Sequence, residues 1–399
     1  MSAQDFTITP QWGRDMDRVQ KRALIVGVVV LIACALGAIF RPGQFFRSYL
    51  FSYLFYLGLT LGSMAVAMLQ YLSGGAWGIV LRRVSESASR TIWMLILLFI
   101  PICIGIPWLY SWSHPDVVAS DPILQHKHVY LNVPFFIGRA VFYFAGWWLF
   151  VHFLNKWSHE QDVTGRDPRA RRLQLLSGPG LVFYGLTVTF AAVDWVMSLN
   201  PHWFSTIFGL IFMAGQGLSA LSFAIALLVI LSAEGGPLAG VIGPRHFQDI
   251  GKLLLTFTML WAYFSYSQLL IIWSGNLADE IPWYMARLKG GWQWIGMLLV
   301  IFHFALPFAL LLSRSFKRRG RTIVRIAALI IVMRFIDLFW MVEPAPAKPS
   351  LHIDWMDILV PIGLGGLWLA MFLFQLKKWP LLPVRDPHLE AAIAHGSLS

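Results

Sequence analysis

The chain has 399 residues, of which 57% are hydrophobic and only 13% are charged, and its mean hydropathy is +0.65. This composition lies outside the range of soluble domains and excludes a disordered chain. A net charge of +11 is also found in nucleic-acid-binding proteins, but here the positions of the basic residues indicate membrane topology instead.

Ten apolar stretches, each long enough to cross a bilayer, follow one another along the chain. A hydrocarbon core of about 30 Å needs about 20 apolar residues of helix. The predicted spans are residues 24–40, 49–72, 91–112, 133–154, 180–199, 204–231, 250–273, 292–312, 323–341 and 355–376. Because the apolar runs are continuous rather than alternating, they predict an all-α, polytopic membrane protein and not a membrane barrel.

The basic residues fall mainly on alternate loops. If the N-terminus is cytoplasmic, the cytoplasmic segments hold 23 Lys and Arg residues and the opposite segments hold seven. The positive-inside rule therefore places both termini in the cytoplasm. This predicts a cytoplasmic segment at 1–22, a ten-span domain at 23–378 and a cytoplasmic tail at 379–399. No small-residue cleavage site follows the first apolar run, so we expect it to be retained as a span.

The second span contains Gly58 and Gly62, a pair of small residues one helical turn apart. Such a pair permits two helices to approach closely. The spacing is also common by chance, so the sequence alone gives it little weight.

The chain carries no pattern typical of a metal or haem centre of its own. Cys34 and Cys103 lie in apolar spans without CxxC or CxxCH spacing, which argues against iron–sulfur and c-type haem ligation. His303 is the only histidine near the middle of a predicted span, whereas ligation of haem b needs two histidines at matching depth. Nucleotide-binding loops and a nucleophile elbow are also absent from the sequence.

Ionisable residues inside the predicted spans are the most informative about function. A charge at such a position costs at least about 2.5 kcal/mol, so it normally has a partner or a function. Asp194 lies in the fifth span, His303 in the eighth, and Arg334 and Asp337 in the ninth. Asp194 has no cation within one helical turn, which favours a function over simple neutralisation.

Each of these residues also has a structural interpretation. Arg334 and Asp337 are three residues apart and are spaced to neutralise each other on one helix face. A single histidine such as His303 is more often a packed residue with satisfied hydrogen bonds than a ligand. Near the outer surface, Glu280 and Arg287 are predicted to form a loop ion pair.

Several longer motifs follow one another in order along nearly the whole chain. The most specific is the segment 194–206, which reads DWVMSLNPHWFST. The others are QYLSGGAWG at 70–78, IIWSGNL at 271–277, IPWY at 281–284, HFALPF at 303–308, RFID at 334–337, GLGGLW at 363–368 and PLLPVRDP at 380–387. Together they resemble the NrfD-like membrane subunits of alternative complex III, and most closely the shorter, ActF type.

The resemblance implies a membrane subunit of a respiratory quinol:cytochrome c oxidoreductase in a bacterial cytoplasmic (inner) membrane. It also implies that spans 2–5 and 6–9 form two four-helix bundles, with the first and tenth spans at the periphery. Ubiquinol or menaquinol would be the substrate, and this chain would bind no cofactor covalently. The implied partners are a paralogous NrfD-like subunit, an iron–sulfur and molybdopterin-like subunit, multihaem and monohaem cytochrome c subunits and, as a further candidate, a terminal oxidase.

The site prediction follows from the chemistry of quinol oxidation, which releases two electrons and two protons. A site near the outer surface therefore needs a group that accepts a proton. We predict a proton relay of Asp194, His303 and Asp337. The predicted quinone contacts are His202, Trp203, Gln268 and Arg334.

Three other interpretations stay open at this point. Quinol oxidation in this family is associated with the paralogue beside the iron–sulfur subunit, which would leave this chain as a scaffold with a proton path. A secondary transporter would also have about ten spans and buried charges, but it should contain unwound half-helices around a site at the midplane. The third is a purely structural anchor of a redox complex.

Overall fold

The computed structural model describes residues 6–164, 168–345 and 350–397. These residues form helices joined by loops, and no strand occurs among them. The α-helices are α1 (Pro10–Ala38), α2 (Pro42–Ser73), α3 (Ala76–Ser89), α4 (Ile92–Leu98), α5 (Ile100–Ile104), α6 (Ile106–Leu109), α7 (Pro115–Ser120), α8 (Pro122–Lys127), α9 (Val133–Thr164), α10 (Pro168–Trp195), α11 (Phe208–Leu231), α12 (Pro244–Gly275), α13 (Ile281–Arg287), α14 (Trp292–Leu298), α15 (Leu306–Leu312), α16 (Arg314–Arg318), α17 (Gly320–Val342), α18 (Met356–Leu376) and α19 (Leu389–Ser397). Residues 1–5 and 398–399 of the predicted terminal segments, and Arg166 and Lys348 of the predicted loops, lie outside the described residues.

Nine helical stretches of the described chain are long and apolar enough to cross a membrane. They are Pro10–Ala38, Pro42–Ser73, Ala76–Ile104, Val133–Thr164, Arg171–Leu199, Phe208–Leu231, Pro244–Gly275, Trp292–Leu312 and Met356–Leu376. The prediction of an all-helical, polytopic membrane protein is confirmed. The remaining predicted span, 323–341, is also helical and lies in α17, but Arg325, Arg334 and Asp337 make it more charged than a simple apolar span.

The third span differs from its predicted bounds of 91–112. Its helical stretch starts earlier, because α3 occupies residues that the sequence assigns to a cytoplasmic loop, and α3 is buried. Burial of this charged helix is possible because Glu86 pairs with Arg83 at 2.5 Å and accepts a hydrogen bond from the Tyr71 hydroxyl at 2.7 Å. The ionic partners thus replace the water that the charges would otherwise require.

α2 is the central helix of the fold. Most of its side chains are buried, and it packs against α3, α10, α11, α17 and α18. α10 packs in turn on α9, and α11 on α12 and α17. α1 packs mainly on α18 and leaves most of its apolar surface exposed, as a helix facing lipid would. The grouping of the spans into two four-helix bundles stays a prediction.

Contacts between loops join segments that the sequence predicts to lie on the same side of the membrane. On the predicted outer side, Arg41 pairs with Asp354 at 3.1 Å. On the predicted inner side, Arg82 pairs with Asp386 at 2.7 Å. These contacts agree with the predicted alternation of the loops, and the choice of the cytoplasmic side stays a prediction.

α2 and α11 approach each other closely at Gly62. A Cβ atom on Gly62 would lie 2.2 Å from the backbone oxygen of Gln216 and 3.0 Å from Cβ of Ala220. A Cβ atom on Gly58, one turn away, would lie 3.5 Å from Cγ of Gln216, which is an ordinary van der Waals distance. Of the two small residues noted in the sequence, only Gly62 is therefore required by helix packing.

We predict that Gly62→Ala destabilises the protein by about 1–3 kcal/mol, because the added methyl group would overpack the contact between α2 and α11. Thermal unfolding in detergent would measure this as a lowered Tm. Gly58→Ala is the matched control on the same helix, and it should leave the Tm unchanged or slightly raised, since Ala favours helix over Gly. Equal losses from the two variants would contradict the role given to Gly62.

Candidate functional site

The seven predicted site residues come from helices far apart in the sequence. Asp194 lies near the end of α10, His202 and Trp203 in the loop before α11, Gln268 on α12, His303 between α14 and α15, and Arg334 and Asp337 on α17. The structure distributes them among three clusters, and His202 lies apart from all three.

His303 lies in a π-helical stretch, Leu299–Ala305, inside the eighth span. Here the backbone N–H of Leu306 donates to the carbonyl of Ile301, five residues back. Pro307 has no N–H with which to bond the carbonyl of His303, four residues back, so the α-helical pattern cannot simply continue. Short π-helical stretches within α-helices are frequent at functional sites.

The His303 side chain is fully buried and packs edge-on against Trp261, with 4.2 Å between ring centroids and 89° between ring planes. Neither ring nitrogen has a hydrogen-bond partner in the described part of the chain. His303 is packed, as expected, but the expected hydrogen bonds are not formed with the described residues. A neutral imidazole carries one donor and one acceptor, and leaving both unmatched in a buried position costs free energy.

Trp261 connects His303 to the ion pair on α17. Its indole N–H donates to Oδ2 of Asp337 at 3.1 Å, and Arg334 donates to the same oxygen. Both charged side chains are almost fully buried, so the predicted neutralisation of Asp337 by Arg334 is confirmed. We call His303, Trp261, Arg334 and Asp337 the central cluster.

α11 provides the space that Arg334 occupies. The guanidinium group lies 5.6 Å from the centroid of the Phe212 ring and against Gly215, where a Cβ atom would come within 2.2 Å of Cζ of Arg334. Sequence reasoning missed both Gly215 and Trp261. No sequence signal points to Gly215, whereas Trp261 lies seven residues before Gln268 on the same face of α12, a spacing that could have indicated it.

Asp194 lies in a second group, which we call the Asp194 cluster and which also contains Arg139 and Tyr143. Arg139, on α9, donates to both carboxylate oxygens of Asp194 at 2.9 Å, and the Tyr143 hydroxyl donates at 2.8 Å. The guanidinium group also lies 3.8 Å from the ring centroid of Tyr130 and 4.3 Å from that of Phe135. Asp194 is fully buried, and this bidentate geometry is the strong form of the carboxylate–arginine interaction.

Sequence reasoning missed Arg139 because it examined only one turn of helix around Asp194. The two residues are 55 positions apart in the sequence. Arg139 lies within the predicted span 133–154, and since a cation inside a span normally has a partner, its position was the available signal. The structure thus gives Asp194 the cation that its local sequence lacks.

Trp203 and Gln268 belong to a third group, the outer cluster, with Ser205, Trp283 and Tyr284. Trp203 stacks on Trp283 with 4.7 Å between ring centroids. The Gln268 side chain accepts a hydrogen bond from the Ser205 hydroxyl at 2.8 Å and donates one to the Tyr284 hydroxyl at 3.2 Å. Burial raises the pKa of Tyr284 to about 12, so this hydroxyl stays protonated at neutral pH.

Arg287 does not pair with Glu280, and that prediction is wrong for the described structure. Instead its guanidinium group donates to the backbone oxygens of Trp283, Trp340 and Met341 at 2.8–3.1 Å. Two of these oxygens belong to the last turn of α17, whose carbonyl groups have no partner within the helix. Burial lowers the pKa of Arg287 to about 9, which still leaves it charged at neutral pH.

His202 is bonded to a residue outside the three clusters. Its Nε2 atom lies 2.6 Å from Oδ2 of Asp121, and the imidazole is about half exposed. Asp121 also accepts hydrogen bonds from the backbone N–H groups of Ile123 and Leu124. Partial desolvation raises the pKa of Asp121, but the bonds from His202 and from the two amides outweigh it and leave the pKa below its ordinary value.

One helix connects the central and outer clusters. Trp261 and Gln268 are both buried on α12, and seven residues of helix separate them by about 10 Å along the same face. Among the described residues the Asp194 cluster shares no hydrogen bond with the central cluster, and a small apolar cavity of about 10 Å³ is lined by Trp195, next to Asp194, and by Phe212, which contacts Arg334. A cavity of this size and lining does not hold a chain of waters.

Within the described part of the chain, no three His, Cys, Asp or Glu side chains are close enough together to hold a metal ion. No protein-family model matches this chain, and no curated protein matches it. The chemistry of the three clusters is therefore the basis for assigning a function.

We predict that Arg139→Gln destabilises the protein by about 3–5 kcal/mol, because it leaves the Asp194 carboxylate buried without a counter-charge. The double variant Arg139→Gln with Asp194→Asn should recover much of this loss, since it removes both charges together. Thermal unfolding of the two single variants and the double variant, in the same detergent, gives the coupling energy. Additive losses would mean that the two side chains do not act as a pair.

Proposed function

We propose that this chain is a membrane subunit of a respiratory quinol:cytochrome c oxidoreductase of the alternative complex III type, located in a bacterial inner membrane. Two independent observations support the proposal. The first is the ordered series of motifs that resembles the NrfD-like, ActF-type subunits. The second, which carries the proposal, is the central cluster with its buried histidine.

The burial of His303 is the strongest single observation, because burying a titratable side chain without hydrogen bonds destabilises the folded protein. The residue is fully buried in a membrane-spanning helix, lacks a hydrogen-bond partner among the described residues and lies in a π-helical stretch. Ionisable groups retained inside a membrane at such cost typically belong to a proton or substrate path. An imidazole accepts a proton at one nitrogen and releases it from the other, so it suits a relay.

The outer cluster offers groups that suit a quinol. The Gln268 amide and the Ser205 and Tyr284 hydroxyls can exchange their mutual hydrogen bonds for bonds to the two oxygens of the quinol ring. Trp203 and Trp283 provide flat apolar surfaces for the ring itself. Oxidation of the bound quinol would send its electrons to haem and iron–sulfur groups in partner subunits and its protons to this chain.

Within this proposal the central cluster handles the protons. His303 is the acceptor, because it is the member without a hydrogen-bonded partner. Asp337 is held by Arg334 and Trp261, so it accepts a proton only when that arrangement opens. Asp194, which is already bonded to Arg139 and Tyr143, is better suited to holding α9 and α10 together than to carrying protons.

A purely structural anchor is the second candidate, and one observation favours it. The carboxylates of Asp194 and Asp337 are both paired with arginine, as they would be in a protein that needs them only for packing. This function and the proposed one differ in what they require of His303.

We expect His303→Gln to lower quinol oxidation by the intact complex roughly 100-fold, which is the contribution of a general base. Gln keeps hydrogen-bonding capacity but cannot carry a proton. Steady-state reduction of cytochrome c by a soluble quinol analogue measures the effect, and its pH profile should lose one ionisation. His128→Gln, on the exposed outer loop, is the matched control and should keep full turnover.

A Gln268→Leu variant separates a quinol site from a proton path alone. If this chain binds quinol, the variant should raise KM for quinol more than it lowers kcat, because it removes binding interactions. If quinol binds elsewhere, KM stays unchanged while His303→Gln still lowers turnover. An assembled complex in which His303→Gln has full turnover would leave only the structural anchor.

The assignment to a redox complex is tested by purification in mild detergent from native membranes. We expect the chain to co-purify with c-type haem and iron–sulfur spectra and with quinol-dependent reduction of cytochrome c. A colourless protein that purifies alone and binds a solute would instead support a secondary transporter and overturn the proposal.

A further inference from the structure

A cavity of about 350 Å³ opens where α4, α9 and the end of α18 meet, on the predicted cytoplasmic side. We call it the basic cavity. It lies beside the inner ends of the spans, and none of its lining residues belongs to the three clusters. Its lining includes the cations Arg90, Lys156 and Lys378, the tryptophans Trp93, Trp148 and Trp379, and His152.

The cations of the basic cavity are not paired with carboxylates, although Glu86 attracts Arg90 from beyond ion-pair distance. None of Arg90, Lys156 and Lys378 has a carboxylate within ion-pair distance among the described residues. Arg90 lies 2.5 Å from Nδ1 of His159, and Lys378 donates to the Gln375 side chain at 3.3 Å. Partial burial and the neighbouring Arg90 charge both lower the pKa of Lys378, as expected for cations gathered without a counter-ion.

Two carboxylates near this region are already paired with another arginine. Glu86 and Asp162 both pair with Arg83, which lies deeper in the protein. The lining residues themselves include no Asp or Glu. An anion from outside the chain is therefore the natural partner for the three cations.

Apolar surface runs from the basic cavity toward the middle of the membrane. Along α4 and α5, Trp93, Leu97 and Ile100 are each more than half exposed and follow one another at helical spacing. On α9, Leu149 and Val141 are also exposed, on the side of the cavity nearer the membrane centre. The cavity thus combines a cationic end at the membrane surface with two apolar faces in the hydrocarbon region.

We propose that the basic cavity binds the phosphate headgroup of an anionic phospholipid, with the acyl chains lying against the exposed apolar faces of α4, α5 and α9. Basic pockets between membrane helices on the cytoplasmic side bind such headgroups. The volume is within the range of small-ligand sites. Inorganic phosphate shares the headgroup chemistry, but it would make no use of the apolar faces.

The test uses the full-length chain in the form in which it purifies, after lipid removal with excess detergent. Phosphatidylglycerol or phosphatidylcholine is added back, and retained lipid is counted by native mass spectrometry. We expect retention of phosphatidylglycerol only, and a loss of roughly fivefold for each cation removed in the double variant Lys156→Gln with Lys378→Gln. The conservative variant Lys378→Arg should retain the lipid.

The matched control variant also loses two positive charges on the predicted cytoplasmic side. Arg319 and Arg321 are exposed and lie outside the basic cavity, so Arg319→Gln with Arg321→Gln should leave retention unchanged. Equal losses in the two double variants would show a general surface field and overturn the proposal. Full displacement of the lipid by millimolar inorganic phosphate would also overturn it, because it would identify a free-anion site. A Tm for each variant excludes unfolding as the cause of a loss.

Discussion

An ionised carboxylate inside an apolar bundle requires a counter-charge, and two arginine pairs meet this requirement here. Arg139 and Asp194 join α9 to α10. Arg334 and Asp337 lie on one turn of α17 and extend to α12 through the indole N–H of Trp261. Because these bonds have narrow geometry, they fix how each helix is rotated about its axis. The Trp261 ring that is bonded to Asp337 also packs against His303.

The same requirement explains why α3, on the predicted inner side, is buried although its sequence is charged. α3 carries several charges, yet it is buried, since Arg83 pairs with both Glu86 and Asp162 and Arg82 pairs with Asp386. The basic cavity beside it is different, because there the cations have no acid of their own. A buried arginine that is paired with carboxylates, Arg83, and a cavity-lining arginine without such a pair, Arg90, are therefore only seven residues apart.

The sequence predicted the helical class and the approximate spans, because a continuous apolar run has one stable form in lipid. It also predicted the pairing of Arg334 with Asp337, which depends only on local spacing. It could not predict that Arg139 pairs with Asp194, because that contact is set by the packing of α9 on α10. Nearness in sequence was misleading for Glu280 and Arg287, since the open carbonyl groups at the end of α17 offer the arginine better partners than a carboxylate in the loop.

The π-helical stretch in the eighth span also changes which side chains of α14 and α15 lie on the same face of the helix. Each π turn accommodates one more residue than an α turn, which advances the following residues by roughly 100° around the axis. The side-chain positions of α15 are therefore rotated about the axis relative to those of α14, although both belong to one continuous helical stretch, Trp292–Leu312. The usual α-helical spacing therefore does not connect the residues on one face of α14 with those on the same face of α15. Helical-wheel comparisons across this span will match only if they allow for one inserted residue near His303.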